Sequence, residues 1–172
     1  MERARSGEAG VQMIIREAHQ SEIDALAQIW YDAWQDAHAE ILPAEFARMR
    51  TLESFRERLE AALPRVRVAG PIGTPLGFCI VTGDELDQLF VSAQARGTGV
   101  AAALLADGED RLAHNGVKTA WLACAIGNDR AARFYEKSGW RRAGIMVHHP
   151  ETPDGTFELE VWRYEKPLTR ST

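Results

Sequence analysis

The chain has 172 residues, 45% hydrophobic and 26% charged, the balance of an ordinary globular protein long enough to bury one sizeable core. Twenty Lys and Arg against 25 Asp and Glu leave a formal charge of −5 with no basic stripe, so nucleic acid is not an expected partner. No run approaches the ~18 apolar residues of a membrane span, and no membrane partner is expected either.

Residues 1–12 are charged and rich in small residues, lack the apolar stretch of a signal peptide, and read as a disordered tail before a single domain over 13–168. Residues 13–17 read as a first strand. Ser21 is expected to cap a helix, with Asp24 near its positive end. Ile23, Leu26, Trp30, Ala33, Trp34, Ala37 and Ile41 then recur at three- and four-residue spacing, which makes one buried helix face. His38 continues the Trp34 side and reads as structural. Pro43 breaks the pattern, and a second helical stretch over 44–63 offers Phe46, Met49, Phe55 and Leu59 to the core.

Past Pro64 the texture changes to short apolar runs divided by Gly and Pro. Strands are expected at 66–68, 76–82 and 85–91, the last after a turn at Gly83-Asp84. A helix follows over 98–115, with Ala101, Leu104, Leu105, Gly108 and Leu112 on one face. Gly108 costs such a helix about 1 kcal/mol against Ala. The nearly continuous apolar run 119–126 reads as a strand covered on both faces. Asn128 caps a short helix to Lys137, closed by Gly139. Strands at 142–147 and 157–164 complete the chain, which is one layered α/β domain. Cys79 and Cys124 lie in apolar runs without Cys or His at ligand spacing; they read as buried free thiols of a cytoplasmic protein, with no metal site expected.

The stretch Gln94-Ala95-Arg96-Gly97-Thr98-Gly99-Val100-Ala101 lies between a strand and an Ala/Leu-rich helix. Small residues there expose backbone N–H groups at a helix start, a setting suited to a phosphate or pyrophosphate. Downstream stands Asn128-Asp129-Arg130-Ala131-Ala132-Arg133-Phe134-Tyr135, followed by Gly139-Trp140. These two motifs, spaced across one helix and one strand, resemble those of the GNAT family of acyl-CoA N-acyltransferases. Arg96, Gly99 and Ala101 match its phosphate loop, and Asn128, Ala131, Phe134, Tyr135, Gly139 and Trp140 match its second pattern.

The resemblance implies a mixed, mostly antiparallel central sheet of about seven strands flanked by about four helices. It implies acetyl-CoA as co-substrate, without a metal, and a primary amine of a small molecule or a protein as acceptor. Homodimers are common in the family, though no motif here establishes one. The loop Arg96, Gly97, Thr98, Gly99, Val100 and Ala101 would hold the pyrophosphate, while Leu89, Phe90 and Val91 would pair through their backbone with the pantetheine arm. Asn128 would be a helix cap, a cofactor contact, or both. Tyr135 would lie near the sulfur and protonate the departing thiolate. Tyr31, off the apolar stripe of a helix that borders the acceptor site in relatives, would line the substrate cleft.

The general base is less directly indicated. Ala123 stands where some relatives carry a Glu. Glu85 is the chosen base, with Asp87 beside it; His148, His149, Glu158 and Glu160 are further candidates whose other reading is a solvated strand face. A covalent acyl-Cys124 has no support, since no His stands readably beside it. Two alternatives are weighed. Gly97-Thr98-Gly99-Val100-Ala101-Ala102 satisfies a dinucleotide fingerprint, but Ser92 to Arg96 separate it from its strand and the acidic partner about 20 residues on is missing. A non-catalytic acyl-CoA sensor of the same fold is permitted by Ala123 and disfavoured by Tyr135.

Overall fold

One mixed sheet organises residues 14–169, the part of the chain that the computed structural model describes. Its seven strands run in the spatial order β1 (Ile15–Glu17), β2 (Val66–Ala69), β3 (Gly77–Thr82), β4 (Glu85–Val91), β5 (Thr119–Ala125), β9 (Leu159–Pro167) and β6 (Arg141–His148). All neighbours are antiparallel except β4 and β5. Five helices accompany it: α1 (Ile23–His38), α2 (Ala44–Met49), α3 (Leu52–Ala62), α4 (Val100–His114) and α5 (Asp129–Lys137). A small hairpin of β7 (Glu151–Thr152) and β8 (Gly155–Thr156) precedes β9. The expected layered fold with a mostly antiparallel seven-stranded sheet is therefore observed. The proposed tail lies outside the described residues.

Three local differences have physical causes. The second helical stretch divides because Arg50 leaves helical geometry (φ −93°, ψ 68°) and Thr51 starts α3 afresh, its hydroxyl accepting the Ser54 N–H at 3.1 Å. Ser21 is not the first cap. His19 caps a 3-10 turn over Gln20–Glu22, its ring accepting the Ser21 N–H while the Glu22 carboxylate accepts the His19 N–H at 3.0 Å. The last strand starts at Leu159, since the Phe157 N–H bonds instead to the Pro150 carbonyl and its ring packs on Phe46 at 5.2 Å between centroids.

The sheet is covered on both faces. On one, Trp30 of α1 and Phe55 of α3 meet Phe78 of β3, with ring centroids 4.8 and 5.2 Å from Trp30. On the other, Leu104, Leu105 and Leu112 of α4 pack with Cys79 and Leu86. Gly108, costly by propensity alone, is explained there: a Cβ would stand 2.8 Å from Leu86 Cδ1 and 3.1 Å from Cys79 Sγ. The missing side chain lets α4 lie close on β3 and β4.

Near the start of the chain, Glu22 is 1% exposed and forms a two-pronged pair with Arg16, both contacts at 2.8 Å. It also accepts the Gly73 N–H at 3.2 Å, tying β1 to the turn between β2 and β3. Hydrogen bonding from Arg16 holds this carboxyl far below the usual range, at about 2.

The position of the site follows from a gap. Between Val81↔Leu86 and Ile80↔Gln88 the β3–β4 register shifts, leaving Asp87 as an extra residue on β4. Such a bulge bends the strand. β4 and β5 consequently register at one pair alone, Glu85↔Trp121, beyond which they part.

Candidate active site

Between the parted strands opens a cavity of about 530 Å³. One wall is Leu86 to Phe90 of β4; the opposite wall is Ala123, Cys124 and Ala125 of β5 with Asn128, Ala131 and Tyr135 of the following helix. β3 serves only the outer edge of β4, so the inner backbone edge beyond Glu85 faces the cavity. The floor and far end come from α1, α2, α3 and the loop after β6. A second hollow of about 550 Å³ near Pro64, Gly83 and His114 shares none of this chemistry.

The glycine turn lies at the C-terminal end of β4. Gly97 and Gly99 have φ of 75° and 89°, which other residues rarely adopt, and a Cβ on either would enter open space. Gly99 caps α4 without any side-chain bond, and Ala103 is the first amide to bond back, to the Gly99 carbonyl at 3.0 Å. The amides of Val100, Ala101 and Ala102 are thus the free donors of a helix start. Thr98 folds back, its hydroxyl donating to the Ala95 carbonyl. The Arg96 guanidinium rests on Asp36 of α1 at 2.9 Å. Asn128 acts as a cap, its side-chain oxygen accepting the Ala131 N–H at 3.3 Å.

Glu85 sits half-buried where the strands begin to part. Burial, reinforced by the Asp87 and Asp84 carboxylates and opposed by Arg163, pushes its carboxyl up to about 7. That is the range a general base needs at neutral pH. Asp87 is tied down by the Thr82 hydroxyl at 2.9 Å and the Gln88 amide at 3.2 Å. Ala123 lines the cavity opposite Arg163 of β9 in register.

Tyr135 closes the other side. Burial, with lesser effects of Cys124 and Cys79, raises its phenol above the ordinary range, so it stays protonated. Trp140 and Tyr164 brace its ring, at 6.3 and 6.2 Å between centroids. Burial pushes the Cys124 thiol up to about 12, which leaves no nucleophilic thiolate near neutrality.

The helical end of the cavity differs from the expectation drawn from α1. Tyr31 is not among the lining residues; it stands edge-on to Phe55 at 6.4 Å. Trp30, Trp34 and His38 form the wall instead. The two tryptophans thus serve core and cavity together. His38 stacks on Trp34 at 5.0 Å, and burial lowers it to about 4, so it is neutral. His148 and His149 also line the cavity, and burial lowers His148 below its ordinary value. Glu158 and Glu160 are exposed and off the wall, as the solvated-face reading has it.

Arg50 and Arg58 are lining residues that sequence reasoning missed. Arg58 stands three residues after Phe55 and four before Ala62, so it flanks the buried stripe, whereas Arg56 is turned away from it; that spacing is the signal that could have separated them. In the fold, Arg56 pairs with exposed Asp24 and Glu60, whereas Arg58 lies over the Trp30 ring at 4.4 Å. Among the described residues no group of three or more His, Cys, Asp or Glu side chains is placed to hold a metal, and no helix is long and apolar enough to cross a membrane.

A mixed sheet whose central strands part is the fold of the N-acetyltransferases to which the comparisons point. The family model described as the Acetyltransferase (GNAT) family matches residues 23–140, more than half of the chain. The chain belongs to the GNAT acetyltransferase family. No curated protein matches it in sequence. Among solved structures, it is similar to a GCN5-related N-acetyltransferase from Rhodopseudomonas palustris (TM-score 0.71, 20% identity, 91% of this chain and 96% of that one). It is also similar to the PaiA N-acetyltransferase of Thermoplasma acidophilum in complex with coenzyme A (TM-score 0.68, 19% identity, 91% and 99%). A third neighbour is YncA of Salmonella typhimurium with its cofactor acetyl-CoA (TM-score 0.61, 16% identity, 93% and 96%). At these identities the likeness is one of fold.

Proposed function

We propose that this protein is an N-acetyltransferase that moves an acetyl group from acetyl-CoA to a primary amine by direct attack in a ternary complex. The observation that carries the reading is the cavity between β4 and β5, which has Glu85 and Tyr135 in its lining and whose β4 wall leads on in sequence to the glycine turn. Two structural neighbours hold coenzyme A or acetyl-CoA, which supports the same choice of donor.

In this reading the glycine turn from Gly97 to Gly99 and the free amides of Val100 and Ala101, with Arg96 released from Asp36, grip the pyrophosphate. The inner edge of β4 at Leu89, Phe90 and Val91 receives the pantetheine arm as an added strand, with Asn128 opposite. Glu85, directly or through water, takes a proton from the ammonium form of the acceptor. The freed nitrogen bonds to the thioester carbonyl carbon, and backbone N–H groups of β4 stabilise the developing oxyanion. As the C–S bond breaks, the Tyr135 hydroxyl gives its proton to the sulfur. The bonded nitrogen, still carrying an extra proton after attack, loses it through water to the Tyr135 phenolate and so restores the hydroxyl; the products are the acetamide and CoA thiol, and solvent removes the proton from Glu85. The buried, unpaired thiols fit a reducing, cytoplasmic setting.

Calorimetric titration with acetyl-CoA, followed by a thiol-release assay over a panel of primary amines, tests the reading. Binding with thiol release on addition of at least one amine is expected. Tight binding without release by any amine would establish the sensor alternative instead.

A further inference from the structure

Two cations on the cavity wall are left unused by the transfer mechanism. Arg50 is 3% exposed and Arg58 is half-buried, and both are lining residues. Arg50 donates to the Glu151 carbonyl at 2.9 Å and lies over the Phe46 ring at 4.7 Å. Arg58 lies over Trp30 and, at 5.9 Å, over Phe55. Neither forms an ion pair among the described residues. Burial, with the charge of Arg58, lowers Arg50 to about 10, so it stays protonated at neutral pH. Both arginines also act on His148, which puts the three in one neighbourhood.

Guanidinium groups withdrawn from water without a carboxylate are costly in a structure. Stacking on aromatic rings occupies their flat faces and leaves the in-plane N–H donors, which match a carboxylate in two-pronged fashion. Asp87 and Glu151 act on Arg58 from a distance. Against that negative background the pair suits a singly charged carboxylate better than a dianionic phosphate.

The aromatic wall sets the distance from this pair to the strand where the thioester is proposed to lie. The Arg58 guanidinium is 4.4 Å from the Trp30 ring, and that ring is 6.0 Å from Phe90 of β4. One indole therefore separates the cation from β4. Arg50 is set further along the same wall, over Phe46, whose ring is 5.9 Å from Trp34. Trp30, Trp34 and Phe46 all line the cavity. The cation that acts on Glu85 is a different one, Arg163 of β9. An amine at the thioester and an anion on the arginine pair are thus held apart by the breadth of a ring, across apolar surface. An α-amino acid, whose two groups share one carbon, is too short to reach both.

We infer that the acceptor is an amine whose carboxylate stands at the far end of an apolar spacer, held by Arg58 and Arg50 while the nitrogen attacks the thioester at β4. This deepens the transferase reading and rests on it. The nitrogen–carbon bond forms and the carbon–sulfur bond breaks as before, protons pass through Glu85 and Tyr135, and the carboxylate is unchanged. The products are an N-acetylated ω-amino acid and CoA thiol.

A series of lengthening acceptors tests the inference: glycine, 4-aminobutanoate, 6-aminohexanoate and 8-aminooctanoate, each against its carboxamide, with thiol release as the readout. The acid-over-amide ratio of kcat/KM is expected to reach ~10²-fold at 6-aminohexanoate and to be absent for glycine. Across a long spacer the acid and its amide have amines of nearly equal basicity, so ionisation cannot produce that peak. Arg58→Met should bring 6-aminohexanoate and its amide within ~3-fold of each other by raising KM for the acid, with KM for acetyl-CoA unchanged. Arg58→Lys should restore part of the preference. Arg50→Gln, expected to reduce the ratio ~10-fold, provides a second reading should loss of stacking on Trp30 unfold the first variant. A ratio near one at every length, or greatest for glycine, with thiol released, overturns the inference and leaves the transferase reading intact. A preference that both substitutions leave standing puts the carboxylate elsewhere and overturns it too. Acetyl-CoA binding without thiol release by any amine overturns both readings.

Discussion

Two carboxylates at opposite ends of the sheet's first half, one buried and one half-buried, have opposite surroundings. Glu22 meets Arg16 and two backbone N–H groups, and its carboxyl falls to about 2. Glu85 meets Asp87 and Asp84 with only Arg163 against them, and its carboxyl rises to about 7. The same side-chain chemistry is made structural in one region and, in the proposed mechanism, reactive in the other by the partners that the fold supplies. A satisfied charge fastens a corner; a frustrated one is ready to move a proton.

The contrast is broken most severely at the structural end. Glu22→Ala leaves Arg16 and two amides without their acceptor and is expected to cost ~3 kcal/mol of stability, measured by urea unfolding. Because folding lowers the Glu22 pKa, its contribution is complete above about 4.5 and drains away as pH falls toward about 2. The variant should therefore lose the corresponding acid limb of the stability profile.

At the reactive end the signs reverse. Glu85→Gln is expected to lower kcat ~10²- to 10³-fold and to abolish the rise of rate with pH centred near 7, since the base works only when deprotonated. Folding raises this pKa, so the native state prefers the protonated form and loses stability as pH climbs from about 4.5 through about 7. Glu85→Gln should thus melt at a higher temperature than the parent at pH 8 while turning over more slowly. A variant that loses both rate and stability there would assign Glu85 to the structural class.

Finer tests separate chemistry from grip within the cavity. Tyr135→Phe should reduce kcat ~10²-fold with acetyl-CoA affinity little changed; unaltered turnover removes it from the mechanism. Gly99→Val should act on binding alone, raising KM for acetyl-CoA ~10-fold, because the new Cβ enters the space where the pyrophosphate is proposed to sit and strains a φ of 89°. An unchanged KM would put the diphosphate elsewhere.

How far the sequence revealed this depended on whether a feature is local. β4 was legible to its last residue, and the Asn128 cap and the glycine turn follow from residues that sit side by side. The division at Arg50 was not, because Arg50 leaves the helix to be buried against Phe46 and the loop before β9, 101 residues away. Tyr31 and Arg58 show the same limit at the site. Tyr31 departs from its apolar stripe and Arg58 only flanks its own, and the packing of α3 against α1 decides that Tyr31 turns from the cavity and Arg58 enters it. Trp30 and Trp34 fit the core stripe and also face the gap, a double duty that spacing alone does not express. The gap itself depends on an extra residue, Asp87, which reads in sequence as one more polar position in a strand.

The parting of β4 and β5 has one more consequence. An unpaired strand edge is normally a hazard, because it templates the addition of foreign chains and invites aggregation. Here the edge is turned into a cleft walled by helices, where solubility does not suffer from its hunger for partners. The protein keeps an unfinished piece of sheet in its interior, which in the proposed mechanism a guest molecule completes and then leaves after each cycle.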